Sequence, residues 1–341
     1  MEKLNIDKVA KLAHVSRSVV SRVLNDHPNV SDVARERVME VVNKYNYRPN
    51  SLARSLATNS SHEIGVLVTQ SEGEALGNAF WMDLHRGIFE ESKKHGYFVS
   101  LSYVSPGSSE ELNNFILNER RLDGYILLTQ EVTDMVGREL FNKNVPIVLV
   151  GHVPRKQKVS SVDVDNVKGG KLAAEHLLNL GHRKIGIMVA DLQMKESEDR
   201  LNGFLHAHKE AGLDLPDRRI KEVDYQFKAG YQTMEQWITT KEDITAVFCA
   251  SDTIAMGALL AAQKHGKDIP RDFSVVGFDD LTFAEYTYPP LTTIRQPIFE
   301  KGKCAAELLI NEIENEHAER KKMNLTPTLI ERESCAPPAD A

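Results

Sequence analysis

The sequence that decides the fold of the N-terminal region is Val9-Ala-Lys-Leu-Ala-His-Val-Ser-Arg-Ser-Val-Val-Ser-Arg-Val-Leu-Asn25. It predicts a helix, a turn that begins near His14, and a second helix capped at its N-terminus by Ser16. Apolar residues recur along the second helix at spacings of three and four positions, as on a buried face. They are Val19, Val20, Val23 and Leu24. The opposite face carries polar residues, namely Arg17, Ser18, Ser21, Arg22 and Asn25.

The polar face of the second helix has the chemistry of a surface that reads double-stranded DNA. Hydroxyl and guanidinium groups hydrogen-bond base edges in the major groove, where a helix-turn-helix inserts its second helix. Two short amphipathic helices around a polar turn also occur in proteins that bind no DNA. The charge distribution favours DNA: the first 60 residues contain 10 Lys and Arg against 6 Asp and Glu, whereas the whole chain contains 42 and 49. A basic end on an acidic remainder suits binding directed by phosphates.

Length and composition predict an ordinary globular protein. The 341 residues suggest two or three compact units, and 41% hydrophobic and 27% charged residues are typical of such chains. The longest apolar runs have about five to seven residues, far below the roughly 20 that span a bilayer. The three cysteines (Cys249, Cys304 and Cys335) lack metal-binding spacing, so no metal site is expected. A reducing cytoplasm is the expected location, because the chain also lacks a signal-peptide core.

The N-terminal region continues with a third helix and a tether. Ser31 is expected to cap the third helix, whose inner face is formed by Val38, Val41, Val42 and Tyr45. Pro49 interrupts the backbone, and residues 51–57 predict a helix too short to be stable alone. We therefore predict a DNA-binding unit at 1–49, a hinge helix and linker at 50–62, and a body at 63–341.

The body alternates short apolar strands with amphipathic helices. This alternation predicts parallel sheets with helices on both faces, and its length of roughly 280 residues suggests two doubly wound lobes. Such lobes bind ligands at the carboxyl ends of their strands, and a cleft between two lobes is a favoured pocket. The predicted strands are 64–68, 97–104, 124–129, 146–151, 162–166, 185–189, 220–224, 246–251 and 274–278.

Seven short sequences in the chain, taken in order, resemble those of the lactose/galactose repressor (LacI/GalR) family of bacterial transcription regulators. The resemblance extends from Ile6 to about Pro297, with a looser C-terminal tail. It is carried by residues 15–25, 46–53, 180–186, 200–204, 251–258, 276–280 and 289–297, which include Leu180-Gly-His-Arg-Lys-Ile-Gly186 and Val276-Gly-Phe-Asp-Asp280.

The resemblance implies an N-terminal all-α helix-turn-helix headpiece and an α/β body like a periplasmic binding protein, with two lobes joined by three crossovers. Lobe one would comprise 63–160 and 292–324, and lobe two 161–291 and 325–341. The family acts as homodimers. A dimer is also favoured here because the chain ends in Ala336-Pro-Pro-Ala-Asp-Ala341 rather than in a leucine-rich helix.

The resemblance also assigns roles in DNA binding. Arg17, Ser18 and Arg22 match the positions that contact bases, and Leu56 matches a leucine that wedges between base steps in the minor groove. Ala53 would permit close approach of two hinge helices, and Arg54 would reach phosphate. Four further residues are expected to contact phosphates or cap helices, namely Ser16, Ser21, Asn25 and Ser31. The alternatives are that Arg17 lies on a solvated face and that Leu56 packs on the body.

For the body, the resemblance implies an effector site in the cleft. Arg200 and Asp279 match an arginine and a carboxylate that hydrogen-bond adjacent sugar hydroxyls. Phe80 and Trp81 match aromatic rings that pack against the ligand, although aromatic residues at helical spacing more often belong to the core. Weaker candidates from nearby strand ends and loops are Thr69, His152, Phe227 and Ser251.

No catalytic residues or cofactors are predicted. Asp279 and Asp280 are adjacent at a strand end and should point in different directions, which disfavours a catalytic pair. The segment 167–172 lacks the spacing of a phosphate-binding loop. Two alternatives remain: a sugar-processing enzyme, which would need a cleft nucleophile or carboxylate pair, and a sugar receptor that does not bind DNA, which the arginines of the second helix disfavour.

The sequence therefore predicts a homodimeric transcription regulator, a repressor, that binds a pseudo-palindromic operator with half-sites about one helical turn apart. A small effector, a sugar in preference to a purine, would control it allosterically. Whether the effector releases or strengthens DNA binding is left open by the sequence, as are its identity and the operator sequence.

Overall fold

The computed structural model describes residues 4–24, 27–47, 60–69, 79–104, 122–128, 145–153, 158–315 and 317–339. The chain divides into two compact units. One comprises residues 1–63 and 121–123, and the other comprises residues 64–120 and 124–341.

The described residues of the N-terminal unit form three helices, α1 (Ile6–Leu12), α2 (Arg17–Leu24) and α3 (Asp32–Lys44). The turn between α1 and α2 includes His14, whose φ of 54° lies in the left-handed region. The helices enclose a small apolar core that is formed mainly by valines, among them Val9, Val20, Val23 and Val38. This arrangement confirms the predicted helix-turn-helix and the inward face of α2. Tyr45, predicted for the inner face of α3, is instead 47% exposed, and Tyr47 packs partly buried against this core.

In the part of the body that the structure describes, the first sheet has six strands, namely β1 (Glu63–Thr69), β2 (Phe98–Val104), β3 (Gly124–Leu127), β4 (Ile147–Val150), β5 (Ser160–Val164) and β11 (Lys322–Leu325). Their spatial order is β11-β5-β4-β3-β1-β2. Helices α4 (Ala79–Lys94) and α9 (Ile298–Glu314) pack together and share an apolar core with this sheet.

The second sheet also has six strands, namely β6 (Ile185–Val189), β7 (Ile220–Glu222), β8 (Ala246–Cys249), β9 (Ser274–Asp279), β10 (Thr292–Arg295) and β12 (Thr328–Ile330). Their order is β12-β10-β9-β8-β6-β7, and β12 pairs antiparallel to β10. Four helices accompany it: α5 (Asn166–Asn179), α6 (Lys195–Glu210), α7 (Phe227–Thr239) and α8 (Asp252–Lys264). Two apolar cores pack against this sheet, which confirms the predicted doubly wound fold.

Among the described elements, the chain passes three times between the sheets: after β5, after β10, and between β11 and β12. β5 therefore lies in the first sheet and β10 in the second, whereas the expected lobe boundaries placed most of β5 in lobe two and β10 in lobe one. The difference has a simple reason. Both strands are short and largely buried, and these properties do not indicate which of two sheets a strand joins.

Buried histidines in the second lobe predict acid sensitivity of the fold. His208 Nδ1 lies 3.1 Å from the Phe204 carbonyl oxygen, and its Nε2 is buried without a partner among the described residues. His182 is buried between Thr245 and Ser274. Burial lowers the pKa of both imidazoles below the value of about 6.5 that holds in the unfolded chain.

We expect the free energy of unfolding to fall as the pH decreases below about 6.5, because the unfolded chain then binds more protons than the folded chain. The slope contributed by each such histidine is at most about 1.4 kcal/mol per pH unit, and it applies until the folded-state pKa is reached. Urea unfolding at pH 7.5, 6.5 and 5.5 measures how the free energy of unfolding depends on pH. His208→Phe keeps an aromatic side chain but removes the titratable imidazole, so it should give a shallower dependence. Equal slopes in the two proteins would contradict this assignment.

Candidate functional site

The polar face of α2 is exposed and bears both predicted base-reading arginines. Arg17, Ser18 and Arg22 are exposed, and Ser21 is half-buried. The Arg17 Nε lies 4.0 Å from the Asp7 Oδ1. The helix thus presents two guanidinium groups and small hydroxyls to solvent, which is the chemistry that recognises guanine and phosphate.

Two of the predicted DNA-contacting serines cap helices. The Val19 N–H donates to Ser16 Oγ at 3.3 Å, and the Ala34 N–H donates to Ser31 Oγ at 3.4 Å. These bonds account for the capping role; contact with phosphate stays a prediction. Four other predicted DNA contacts lie outside the described residues, namely Asn25, Ala53, Arg54 and Leu56.

A cavity of about 170 Å³ lies between the two lobes of the body. Six of the eight residues predicted for the effector site line it: Phe80, Trp81, His152, Arg200, Ser251 and Asp279. Thr69 is the last residue of β1, and its side chain is outside the described part of the structure. Phe227 begins α7 and does not line the cavity. Tyr225, two residues before Phe227, lines the cavity where Phe227 was expected.

Arg200 is a buried arginine on α6, with 5% of its surface exposed. Its Nε donates to Asn166 Oδ1 at 2.9 Å, and its Nη1 donates to the Ala250 carbonyl at 2.6 Å. The guanidinium also lies 3.7 Å from the centroid of the Phe278 ring. These contacts fix the orientation of the guanidinium plane. They leave its Nη2 without a hydrogen-bond partner among the described residues.

Glycine determines how closely the helix that carries Arg200 approaches its neighbour. A Cβ at Gly170 of α5 would lie 1.9 Å from the Arg200 carbonyl oxygen, and one at Gly203 of α6 would lie 1.9 Å from the Val167 carbonyl oxygen. Only glycine permits these two backbones to touch. The position of Arg200 therefore requires glycine at positions 170 and 203.

Asp279 ends β9 in a strained backbone conformation. Its φ is 118° and that of Asp280 is 58°, values that residues other than glycine rarely adopt and that cluster at functional sites. Asp279 Oδ1 accepts from Gln296 Nε2 at 2.5 Å and lies 3.9 Å from Arg200 Nη1. Burial raises the pKa of Asp279 to about 6, although Arg200 and Gln296 oppose part of that rise.

Asp280 faces away from the cavity. It accepts from Arg295 Nε at 2.6 Å and from Arg332 Nη2 at 2.7 Å. The two neighbouring aspartates thus have separate partners, as the sequence predicts, and they do not form a catalytic pair.

The start of α8 shows a division of roles between two residues. Ser251, a predicted effector contact, is also the N-cap, because its Oγ accepts from the Thr253 N–H at 3.1 Å. Asp252 is fully buried and accepts instead from the Thr293 hydroxyl at 2.6 Å and the Leu281 N–H at 2.8 Å. Burial raises the pKa of Asp252, and the charge of Asp279 adds to the rise. Asp252 therefore links the start of α8 to β10 and to the segment that follows Asp279.

Lobe one supplies aromatic rings and a second ion pair. The rings of Phe80 and Trp81 meet edge to face with centroids 5.1 Å apart. The buried Lys301 Nζ lies 3.3 Å from Asp163 Oδ1, so that each cation lining the cavity has a carboxylate beside it. The cavity presents paired charges and apolar rings, which suits a small ligand that has hydroxyl groups on an apolar ring.

Several lining residues were not predicted from the sequence, chiefly Asp163, Asn166, Tyr225, Gln296 and Lys301. Gln296 is 3% exposed, and its Oε1 has no partner among the described residues. Gln296 and Lys301 follow β10, where the chain crosses between the lobes. The rule that parallel strands gather ligands at their carboxyl ends applies to Gln296, which directly follows β10, but not to Lys301, which lies on α9.

Two absences hold for the described residues. No cluster of three or more His, Cys, Asp or Glu side chains is arranged to bind a metal ion. No described helix combines the length and apolar character required to cross a membrane.

Comparisons with known proteins cover both units. Residues 5–50 match the bacterial regulatory proteins of the lacI family, and residues 174–335 match a periplasmic binding protein-like domain. The ribose operon repressor of Haemophilus influenzae is 35% identical over 96% of this chain and 97% of its own length. The repressor PurR of Aliivibrio salmonicida is 32% identical over 96% of this chain and 98% of its own length.

Solved structures agree with this result. A lac repressor dimer bound to operator and the anti-inducer ONPF is 26% identical, covers 98% of this chain and 100% of its own, and gives a TM-score of 0.85. A LacI family regulator from Enterococcus faecium with bound ribose is 30% identical. It covers 81% of this chain and 99% of its own, with a TM-score of 0.72.

Proposed function

Because this chain belongs to the lacI family of bacterial regulatory proteins, it is a transcription regulator and not an enzyme, and we propose that it represses transcription from a pseudo-palindromic operator under the control of a sugar. One observation carries the proposal. The same chain exposes two arginines on α2 and encloses, in its body, a cavity containing the buried Arg200–Asp279 pair.

We propose a neutral monosaccharide as the effector. The cations Arg200 and Lys301 lie beside Asp279 and Asp163, so the described cavity residues offer no unpaired cation for a phosphate or carboxylate. At about 170 Å³ the cavity is smaller than the roughly 300–1,000 Å³ of typical drug-sized pockets, which favours a single-ring ligand. The ribose held by the Enterococcus faecium regulator supports this class. A purine is the second candidate, since relatives include PurR and since Phe80 and Trp81 offer ring faces.

The chain is proposed to act as a homodimer, as the lac repressor dimer does. Two copies of α2 would read two half-sites, and residues 50–57 of both chains would pair as hinge helices on the operator. Leu56 would then enter the minor groove, with Ala53 at the helix contact and Arg54 on phosphate. We propose the cytoplasm as its location, because a repressor acts where its operator DNA lies.

A ligand screen and a DNA selection test the proposal. Thermal unfolding is measured with single monosaccharides, sugar phosphates and nucleobases, since a ligand at 100 times its Kd adds about 2.7 kcal/mol of stability. Neutral pentoses or hexoses are expected to stabilise the protein, and sugar phosphates are not. Selection from random DNA should yield symmetric sites. Stabilisation by phosphorylated sugars alone would overturn the effector class, and recovery of no symmetric site would overturn operator binding.

The affinity for the effector is expected to fall about tenfold between pH 7.5 and pH 5. Asp279, whose pKa is raised to about 6, loses its charge over this range and stops accepting hydrogen bonds as a carboxylate. Isothermal titration calorimetry at the two pH values measures the change. Asp279→Asn removes this titration but leaves the other cavity residues in place, so it should bind weakly without the same dependence. A tenfold fall that persists in that variant would assign the titration to another group.

A further inference from the structure

One carboxylate gathers the segment that directly precedes the first strand of the body. Asp123 Oδ2 accepts from the Ser60 hydroxyl at 2.6 Å and from the His62 N–H at 2.9 Å. Its Oδ1 accepts from the Ser61 N–H at 2.7 Å and from the Ser61 hydroxyl at 2.9 Å. Four donors therefore share the two oxygens, and hydrogen bonds to a charged acceptor are stronger than those between neutral groups. We call this arrangement the linker clamp.

The backbone of the clamped segment has an unusual conformation. His62 has a φ of 52°, in the left-handed region that residues other than glycine rarely adopt. The next N–H, that of Glu63, donates to Ser61 Oγ at 3.1 Å. Side-chain acceptors thus hold three successive residues in one conformation. Such a conformation is retained only where the surroundings determine it strongly.

The linker clamp lies at the N-terminal ends of two neighbouring strands. Asp123 directly precedes β3 and His62 precedes Glu63 of β1, and the two strands pair in parallel from Ile64 and Gly124 onward. At the other end of β3, Leu128 lines the cavity, and its N–H donates to a carbonyl of β1 at 3.0 Å. The same strand pair therefore carries the clamp at one end and cavity wall at the other.

We propose that Asp123 is a positioning residue for operator binding. Its carboxylate fixes the linker where it enters β1, beside the start of β3. In a dimer, this point sets the separation of the two DNA-binding units. A shift of these strands that accompanies effector binding would move that point and change the separation. This role rests on the proposed function, namely effector-controlled binding of a homodimer to a symmetric operator.

The test uses the full chain and the operator obtained by selection. Asp123→Asn replaces one acceptor oxygen by an NH2 group that faces donors, so it should release the segment 60–62. Binding is measured to the selected operator and to a derivative with two base pairs inserted between its half-sites. The wild type should discriminate strongly between them. The variant should bind the selected operator about tenfold more weakly and discriminate much less.

Matched variants separate positioning from general damage. Ser61→Ala removes one clamp donor and should reduce discrimination, whereas Ser61→Thr keeps a hydroxyl and should retain it. Asp217→Asn removes a charge from an exposed position and should behave as the wild type. Thermal unfolding and binding to random DNA report on folding. Undiminished discrimination in Asp123→Asn would overturn the proposal. A wild-type chain without preference for any symmetric site would instead overturn the proposed function and this role with it.

Discussion

Replacement of Arg22 by alanine is expected to weaken operator binding by about 30-fold or more. Arg22 is exposed on α2, and its guanidinium has no ion-pair or hydrogen-bond partner among the described residues, so it is available to a base. A bidentate contact of arginine with guanine contributes about 1–3 kcal/mol of discrimination. Because a homodimer loses two such contacts at once, the total becomes about 2–6 kcal/mol.

Fluorescence anisotropy with the selected operator and with random DNA measures this effect. If Arg22 reads a base, affinity for the operator falls much more than affinity for random DNA, and preference at one operator position relaxes. If it contacts only phosphate, both affinities fall together and the salt dependence becomes shallower. Arg37→Ala is the matched control, since Arg37 is exposed on α3 and carries the same charge. Equal losses in both variants would contradict base reading by Arg22.

Replacement of Arg200 by alanine is expected to reduce effector affinity more than 100-fold. Hydrogen bonds to charged groups contribute about 1.5–3 kcal/mol each, and the guanidinium is the buried cation beside Asp279. The substitution also removes the partners of Asn166 and of the Ala250 carbonyl. A loss of stability of about 3–5 kcal/mol is expected as well, because a buried carboxylate remains without its cation.

Titration calorimetry with the effector found in the screen tests this prediction, and urea unfolding measures the stability. Arg200→Lys keeps the charge but not the planar fork that reaches two acceptors, so it should restore stability in part and affinity little. Lys209→Ala is the control on the same helix, at an exposed position. Affinity within about threefold of the wild type in Arg200→Ala would remove Arg200 from the proposed effector site. Operator binding by that variant would show that the remaining fold is intact.

Local patterns predicted what depends on neighbours in the sequence. The valines of α2 repeat at helical spacing, and the structure buries Val20 and Val23. The body alternates strands and helices, and it forms two parallel sheets. Family sequences placed Arg200 and Asp279 at a cleft, and the structure brings them within 3.9 Å although 79 positions separate them.

What the sequence did not predict depends on contacts between distant segments. Gln296 and Lys301 have no distinctive local pattern, and only the crossover after β10 carries them to the cavity. Tyr225 rather than Phe227 lines the cavity, because the start of α7 determines which ring faces inward. The four donors on Asp123 come from residues about 60 positions earlier in the chain. No spacing within either segment indicates that they meet.

The contact of α5 with α6 has a consequence for how this protein can evolve. Where Gly170 and Gly203 bring two helix backbones together, the smallest possible enlargement, a single methyl group, would force the helices apart. The displaced helix is the one that bears Arg200, so a mutation to alanine at either glycine would disturb recognition without touching the ligand. New ligand preferences are therefore more accessible through the residues that line the cavity than through the scaffold behind it.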